Sequence, residues 1–238
     1  MTTGTLKLEQ EVSSIRDRYA RRGDDLSDKS VFHAHRLETS LEKQAAMVRM
    51  LVRNLKVPIS AARILEIGCG HGDNLLQFLL WGADAANLVG NELLEERLTY
   101  SRKRLPEATA LVVGDARTLD LEPGSFDIVM ASTVFSSILD LEFRAELARH
   151  LWTLVKPGGG IFWYDFAFNN PSNPDVLKVT RAEVKALFPE ARADIERLTL
   201  APPIARQLAP IGAPLYRMAS AVPLLRTHLL GWLEKRAA

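Results

Sequence analysis

The rhythm of apolar positions changes near residue 58. In residues 7–22, Leu8, Val12, Ile15 and Tyr19 recur at steps of three and four, which predicts an amphipathic helix. A polar stretch with Gly23, Asp24, Asp25, Ser27 and Asp28 follows, and residues 37–55 then predict a second helix, ended by Pro58. Beyond it, short apolar runs at 63–67, 88–92, 110–113, 126–131 and 160–166 alternate with helical stretches near 73–82, 94–105 and 140–155. That alternation predicts a parallel sheet with helices on both faces. After Phe166, the segment NNPSNPD reads as a loop, 180–188 as a short helix and 195–200 as a strand. Residues 201–226, broken by five prolines, read as an interrupted helical insertion, and 227–235 as a last strand or a helix, with the strand favoured.

Composition narrows the classes. A 238-residue chain, nearly half apolar and one quarter charged, suits one globular domain. A net charge of +1 offers no global basic field for nucleic acid, although Arg16–Arg22 is locally basic. Cys69 is the only cysteine, which excludes an intrachain disulfide and argues against a cysteine-based zinc site. The N-terminus has no apolar core of signal-peptide type and no run is long enough to span a bilayer, so the expected compartment is the cytoplasm.

The strongest motif is ILEIGCGHGDNLL at 64–76: an apolar run enters Gly68, Gly70 and Gly72, and a helix follows. Glycines there let the backbone turn tightly and approach a ligand at the carboxyl ends of the strands. A dinucleotide loop, G-x-G-x-x-G, needs glycine at position 73, where Asp73 stands; the spacing is E-x-G-x-G-x-G from Glu66. Glu92 ends LVGNE, and one carboxylate accepts hydrogen bonds from two hydroxyls at once. GDA at 114–116, FDIVMAS at 126–132 and LVKPGGGIFWYD at 154–165 follow in order, with Lys156–Gly159 read as a turn.

On these five elements the chain resembles the class I S-adenosylmethionine (SAM)-dependent methyltransferases. The resemblance implies a Rossmann-like doubly wound α/β fold of seven mostly parallel strands with the last antiparallel, an N-terminal helical cap and a helical lid. It implies one domain: a cap at 1–58, a SAM-binding core at 59–200, a lid at 201–226, and the last strand and tail at 227–238. It assigns the cofactor to Glu66, Gly68, Cys69, Gly70, Gly72, Asn74, Glu92, Leu93, Asp115, Ala116 and Ser132, with Tyr19 and Arg22 from the covering segment. Glu92 would take the ribose hydroxyls, and Asp115 and Ala116 the adenine; a helix N-cap is the alternative for Asp115.

Methyl transfer is an in-line displacement that gains from alignment and exclusion of water, and a hydroxyl acceptor also needs a base. Many small-molecule members of the family carry histidine after the fourth strand; Ser137 stands there in this chain. Asp165 is the first candidate for the catalytic base and His35 the second. Asp165 with Asn169 and Asn170 also offers oxygens that suit magnesium, so a Mg²⁺ site stays open beside the base and a plain bracing role.

Residues 201–226 read as a lid, as plain structural cover, or as a membrane-surface contact in which Arg206, Arg217 and Arg226 flank apolar residues. The segments YDFAFNNPSNP and LLRTHLLGW are similar to bacterial methyltransferases of polysaccharide and natural-product pathways. They point to O-methylation of a sugar, glycan or other small-molecule hydroxyl. The alternatives are a non-catalytic SAM-binding module and a methyltransferase for a lipid-linked acceptor. Nucleic-acid methylation lacks its motif, since Ser172 follows NNP where an aromatic is needed. Monomer and homodimer both stay open.

Overall fold

The computed structural model describes residues 3–22, 30–169 and 173–237. Seven strands form one sheet: β1 Ile64–Ile67, β2 Leu88–Glu92, β3 Ala110–Val113, β4 Phe126–Ser132, β5 Val155–Phe166, β6 Arg192–Leu200 and β7 Arg226–Glu234. Their spatial order is β3-β2-β1-β4-β5-β7-β6. β1 to β5 pair in parallel, and β7 runs antiparallel between β5 and β6. The strand order reverses at β1 and β4, which is where open α/β sheets form a ligand crevice.

Helices cover both faces. The helices are α1 Thr3–Arg22, α2 Ala34–Asn54, α3 Asp73–Leu80, α4 Glu95–Arg102, α5 Leu141–Leu154, α6 Arg181–Leu187, α7 Pro202–Leu208 and α8 Ala213–Ser220. On one face Leu8 and Ile15 of α1 and Phe143, Leu147 and Leu151 of α5 bury the odd positions of β1, Leu65 and Ile67. On the other, Met47 and Met50 of α2, Phe78 of α3 and Leu98 of α4 pack on Ile64, Met130 and Phe162. The continuous apolar run of β7 follows from burial on both sides, which leaves no outward polar positions to alternate with.

Start signals are local. Asp140 caps α5 by accepting from Phe143 N–H at 2.9 Å, and Thr180 and Glu183 form a capping box on α6. The Lys156–Gly159 stretch is strand rather than turn. Val155 pairs with Phe126 and Gly160 with Ile128, so the added residues leave the ladder as an irregularity inside β5. The proline-rich insertion forms α7 and α8, which build a small core of Leu200, Ala205, Ala209 and Tyr216. Tyr216 Oη donates to Glu42 of α2 at 2.8 Å, so the insertion docks on the α2 side of the sheet.

Candidate functional site

The loop after β1 carries glycines in the left-handed region, with φ of 59° at Gly68 and 57° at Gly70. A Cβ at Gly68 would stand 2.9 Å from Val134 Cγ2, and one at Gly70 would stand 2.9 Å from Arg97 Nη2. Both the conformation and the room therefore require glycine. The loop opens on a cleft of about 130 Å³ at the carboxyl ends of β1, β2 and β4. Val12, Ile15, Phe143 and Leu147 form its apolar wall, and Glu92, Asp115, Ser132, Thr133 and Ser137 bring polar atoms to it.

Glu92 ends β2 almost fully buried. Its Oε2 accepts from Gly70 N–H at 2.9 Å, and its Oε1 accepts from Leu93 N–H at 2.8 Å and Leu94 N–H at 3.2 Å. Arg97 approaches the same carboxylate at 3.5 Å and lies over the Tyr19 ring at 5.0 Å. Asp115 accepts from Arg117 N–H at 2.9 Å, as an N-cap does, and pairs with the Arg117 guanidinium at 2.6 Å. Arg117 also meets Glu146 at 3.0 Å and stacks over Phe143 at 4.0 Å, so the edge of the apolar wall is electrostatically fixed.

The cleft floor at β4 is strained. Thr133, with φ of 56°, is one of two non-glycine residues with positive φ among the described residues. Its N–H donates to Tyr164 O at 2.7 Å, which holds the turn against the end of β5. Ser137 Oγ donates to Thr133 O at 3.3 Å and accepts from Tyr19 Oη at 3.2 Å. Arg18 fastens α1 over this floor by donating to Ser137 O at 3.1 Å and pairing with Glu11 at 2.7 Å.

The cleft thus gathers Tyr19, Gly68, Glu92, Leu93, Asp115, Ala116 and Ser132. Gly70 supports it through Glu92. Gly72 is the N-cap of α3 and packs toward Leu105, and Cys69 is buried with its thiol pushed up by burial. Glu66 and Asn74 sit on the α2 side of the loop. Asn74 Nδ2 donates to Glu66 Oε1 at 2.6 Å, and burial raises the Glu66 carboxyl to about 8. Lys43 donates to Asn74 Oδ1 at 3.3 Å, and its ammonium lies 4.5 Å from the Tyr164 ring centroid. The Arg22 side chain and Asn170 lie outside the described residues.

Neither candidate base is among the residues lining the cleft. Asp165 is buried in β5, where its carboxylate accepts from Ser136 N–H at 3.0 Å and Phe166 N–H at 2.8 Å. It braces the turn after β4, and burial raises its carboxyl to about 6. Asn169 Oδ1 accepts from Lys178 N–H at 2.8 Å, so these two side chains turn to separate backbone amides rather than toward one metal. Among the described residues no group of three or more histidine, cysteine, aspartate or glutamate side chains is arranged to hold a metal ion. His35 lies in the first turn of α2, half-buried, with its ring 5.9 Å from that of His33. Arg97, Arg117 and Thr133 were not singled out in the sequence, because each acts through residues that only the fold brings near.

Comparison with known proteins shows what the arrangement is similar to. Residues 64–159 match the family model described as a methyltransferase domain. The chain is 35% identical over 132 residues to a dTDP-3-amino-3,4,6-trideoxy-alpha-D-glucopyranose N,N-dimethyltransferase of Streptomyces venezuelae, covering 52% of each chain. It is 31% identical over 110 residues to a ubiquinone biosynthesis O-methyltransferase of Ralstonia nicotianae, covering 44% of each. The chain therefore spans about half the length of these curated relatives. Among solved structures, a SAM-dependent methyltransferase from Archaeoglobus fulgidus superposes with a TM-score of 0.58 at 17% identity, over 81% of this chain and 93% of that one. The sheet order, the glycine loop and the matched domain agree: residues 64–159 are similar to a methyltransferase domain, and the chain has the fold of SAM-dependent methyltransferases.

Proposed function

We propose that this protein transfers a methyl group from SAM to an oxygen of a small molecule or glycan. The observation that carries the cofactor part is the cleft itself, where the Gly68 backbone and the Glu92 carboxylate line the same space at the carboxyl ends of β1, β2 and β4. The residues present fit SAM. Gly68, Glu92, Leu93, Asp115, Ala116 and Ser132 would hold it, Glu92 at the ribose and the Val12, Ile15, Phe143 and Leu147 wall against the adenine. When bound, SAM supplies an electrophilic methyl on a positively charged sulfur.

The chain's own contribution is alignment and dryness. Helix α1, fastened by Arg18 and Tyr19, covers the cleft, and the held turn at Thr133 fixes the floor. Glu66 and Asn74 act on the loop from behind. The oxygen acceptor rests on the resemblance of the C-terminal half to sugar-modifying enzymes and on the O-methyltransferases among the relatives.

One observation favours a second reading, a nitrogen acceptor. No histidine lines the cleft among the described residues, and its two carboxylates already accept from Gly70, Leu93 and Arg117. A neutral amine brings its own lone pair and needs no base before attack. The N,N-dimethyltransferase relative acts, by its name, on an amino sugar. Methyl-labelled SAM with paired sugars and phenols, each as hydroxyl and as amine, separates the readings. Label in the hydroxyl compounds supports the proposal; label in the amines alone supports the second reading. Failure to bind SAM in a calorimetric titration overturns both.

A further inference from the structure

The segment between β6 and β7 presents an unusual outer surface. Its inner side is fully used. Tyr216 and Ser220 of α8 donate to Glu42 of α2, and Leu200, Ala205, Ala209 and Tyr216 close a small core. What remains outside is apolar: Ile211 is 69% exposed, Met218 70% and Leu224 81%, with Leu215 and Val222 also exposed. Leu215, Met218 and Val222 follow at steps of three and four, so they share one face of α8 and its continuation. Soluble surfaces scatter single apolar residues, whereas a cluster of this kind marks a contact.

The segment's own charges have one sign. Residues 201–226 contain three arginines and no aspartate or glutamate, although the 29 acids of the 238-residue chain would place about three in that length. Arg206 and Arg217 are exposed beside the apolar residues. Arg217 meets Glu38 of α2 at 3.9 Å; the Arg217 side chain is largely exposed and that of Glu38 largely buried. Protruding apolar side chains flanked by arginine, on a segment with no carboxylate of its own, match the interface of an anionic bilayer.

We infer that the outer face of α7 and α8 docks the protein on an anionic lipid bilayer, with Ile211, Leu215, Met218, Val222 and Leu224 entering the interface and Arg206 and Arg217 at the headgroups. The face is built without reference to the cleft, so the inference stands or falls apart from the methyl-transfer reading.

The test is co-sedimentation of the full chain with vesicles of equal parts phosphatidylglycerol and phosphatidylcholine, against vesicles of phosphatidylcholine alone. Binding to the anionic vesicles is expected to be stronger by roughly tenfold or more, as expected of two arginines near a charged surface, and to weaken with salt. Leu215→Asp with Met218→Asp should abolish it, and Arg206→Gln with Arg217→Gln should remove the preference for anionic lipid. All four positions are exposed, so thermal melting of the variants should match the parent. Equal binding to both vesicles, or binding unaffected by the aspartates, overturns the inference. So does a dimer in light scattering that Met218→Asp converts to monomer, since the face would then serve a second copy.

Discussion

The Gly70 backbone N–H and the Glu92 carboxylate, 22 positions apart, are joined at 2.9 Å, and this bond ties the glycine loop to the end of β2. The same carboxylate holds the first amides after β2. Glu92 therefore shapes the cleft as well as lining it, and the two roles separate on substitution. Glu92→Ala removes both, and SAM affinity should fall at least tenfold, about 1.4 kcal/mol. Glu92→Gln keeps one acceptor oxygen for the amides and should fold like the parent while still losing affinity. A calorimetric titration that finds Glu92→Gln within about twofold of the parent, roughly 0.4 kcal/mol, removes Glu92 from the cofactor site.

Gly68 carries two separable costs. Its φ of 59° disfavours any side chain, and an added Cβ would lie 2.9 Å from Val134 Cγ2. Gly68→Ala should lower stability by about 1–2 kcal/mol from the backbone alone, with the clash added. Val134→Ala in the same chain should recover the steric part and leave the backbone part. Urea denaturation of the three variants and the parent checks this. Full recovery in the double variant would mean that the left-handed backbone costs nothing at this position.

Much of the sheet was legible because its signals are local. Strand β2 matches its expected limits of 88–92, and the strand favoured at 227–235 is β7, Arg226–Glu234. Gly68 and Glu92 were legible because motif spacing fixes them. The Lys156–Gly159 stretch was misread because glycine and proline suggest a turn. It runs instead as an irregularity within β5, with Gly158 at a φ of 84° and Gly159 so close to β4 that a Cβ would lie 2.7 Å from Asp127 O. Arg97 and Arg117 belong to none of the motifs read in the sequence. Their roles come from Tyr19 and Glu146, which are 78 and 29 residues away in the chain and adjacent only in the fold. Asp165 looked like a base because it ends a strand on the ligand side; which backbone amides it would meet is not written in the strand pattern.

Helix α1 should open independently of the rest. Its fastening runs through Arg18 and Glu11, paired at 2.7 Å with little exposure, and through Glu11 Oε1 accepting from Leu139 N–H at 2.9 Å. Removing one member leaves a buried charge without its partner, a loss of about 3–5 kcal/mol where no relaxation intervenes. A terminal helix relaxes by undocking. Arg18→Met should therefore speed amide exchange in residues 8–19 by at least tenfold while the sheet stays protected. Glu11→Gln added to it should cost less than the two single changes summed. Unchanged exchange in α1 would show that apolar packing of Leu8 and Ile15, rather than the ion pair, holds it down.

Asp165 gives the fold a pH dependence whose sign is fixed. Burial raises its carboxyl to about 6 in the folded chain, against an ordinary value near 4 when unfolded. Between those values the folded state keeps a proton that the unfolded state gives up. Stability from this group is therefore complete below about pH 4, declines as pH rises toward about 6 and is level above that. Two units correspond to about 3 kcal/mol, an upper figure for one group. Asp165→Asn cannot titrate. Its amide oxygen still accepts from one of the two N–H groups of Ser136 and Phe166, so it should fold with a constant deficit. Urea denaturation of both proteins from pH 4 to pH 8 isolates the group, because every other titration cancels in the difference. The advantage of the parent over Asp165→Asn should shrink by about 1–3 kcal/mol between pH 4 and pH 6.5 and then stay level. A difference that grows with pH over that range would mean that the two amides, not burial, dominate and that Asp165 is held ionised.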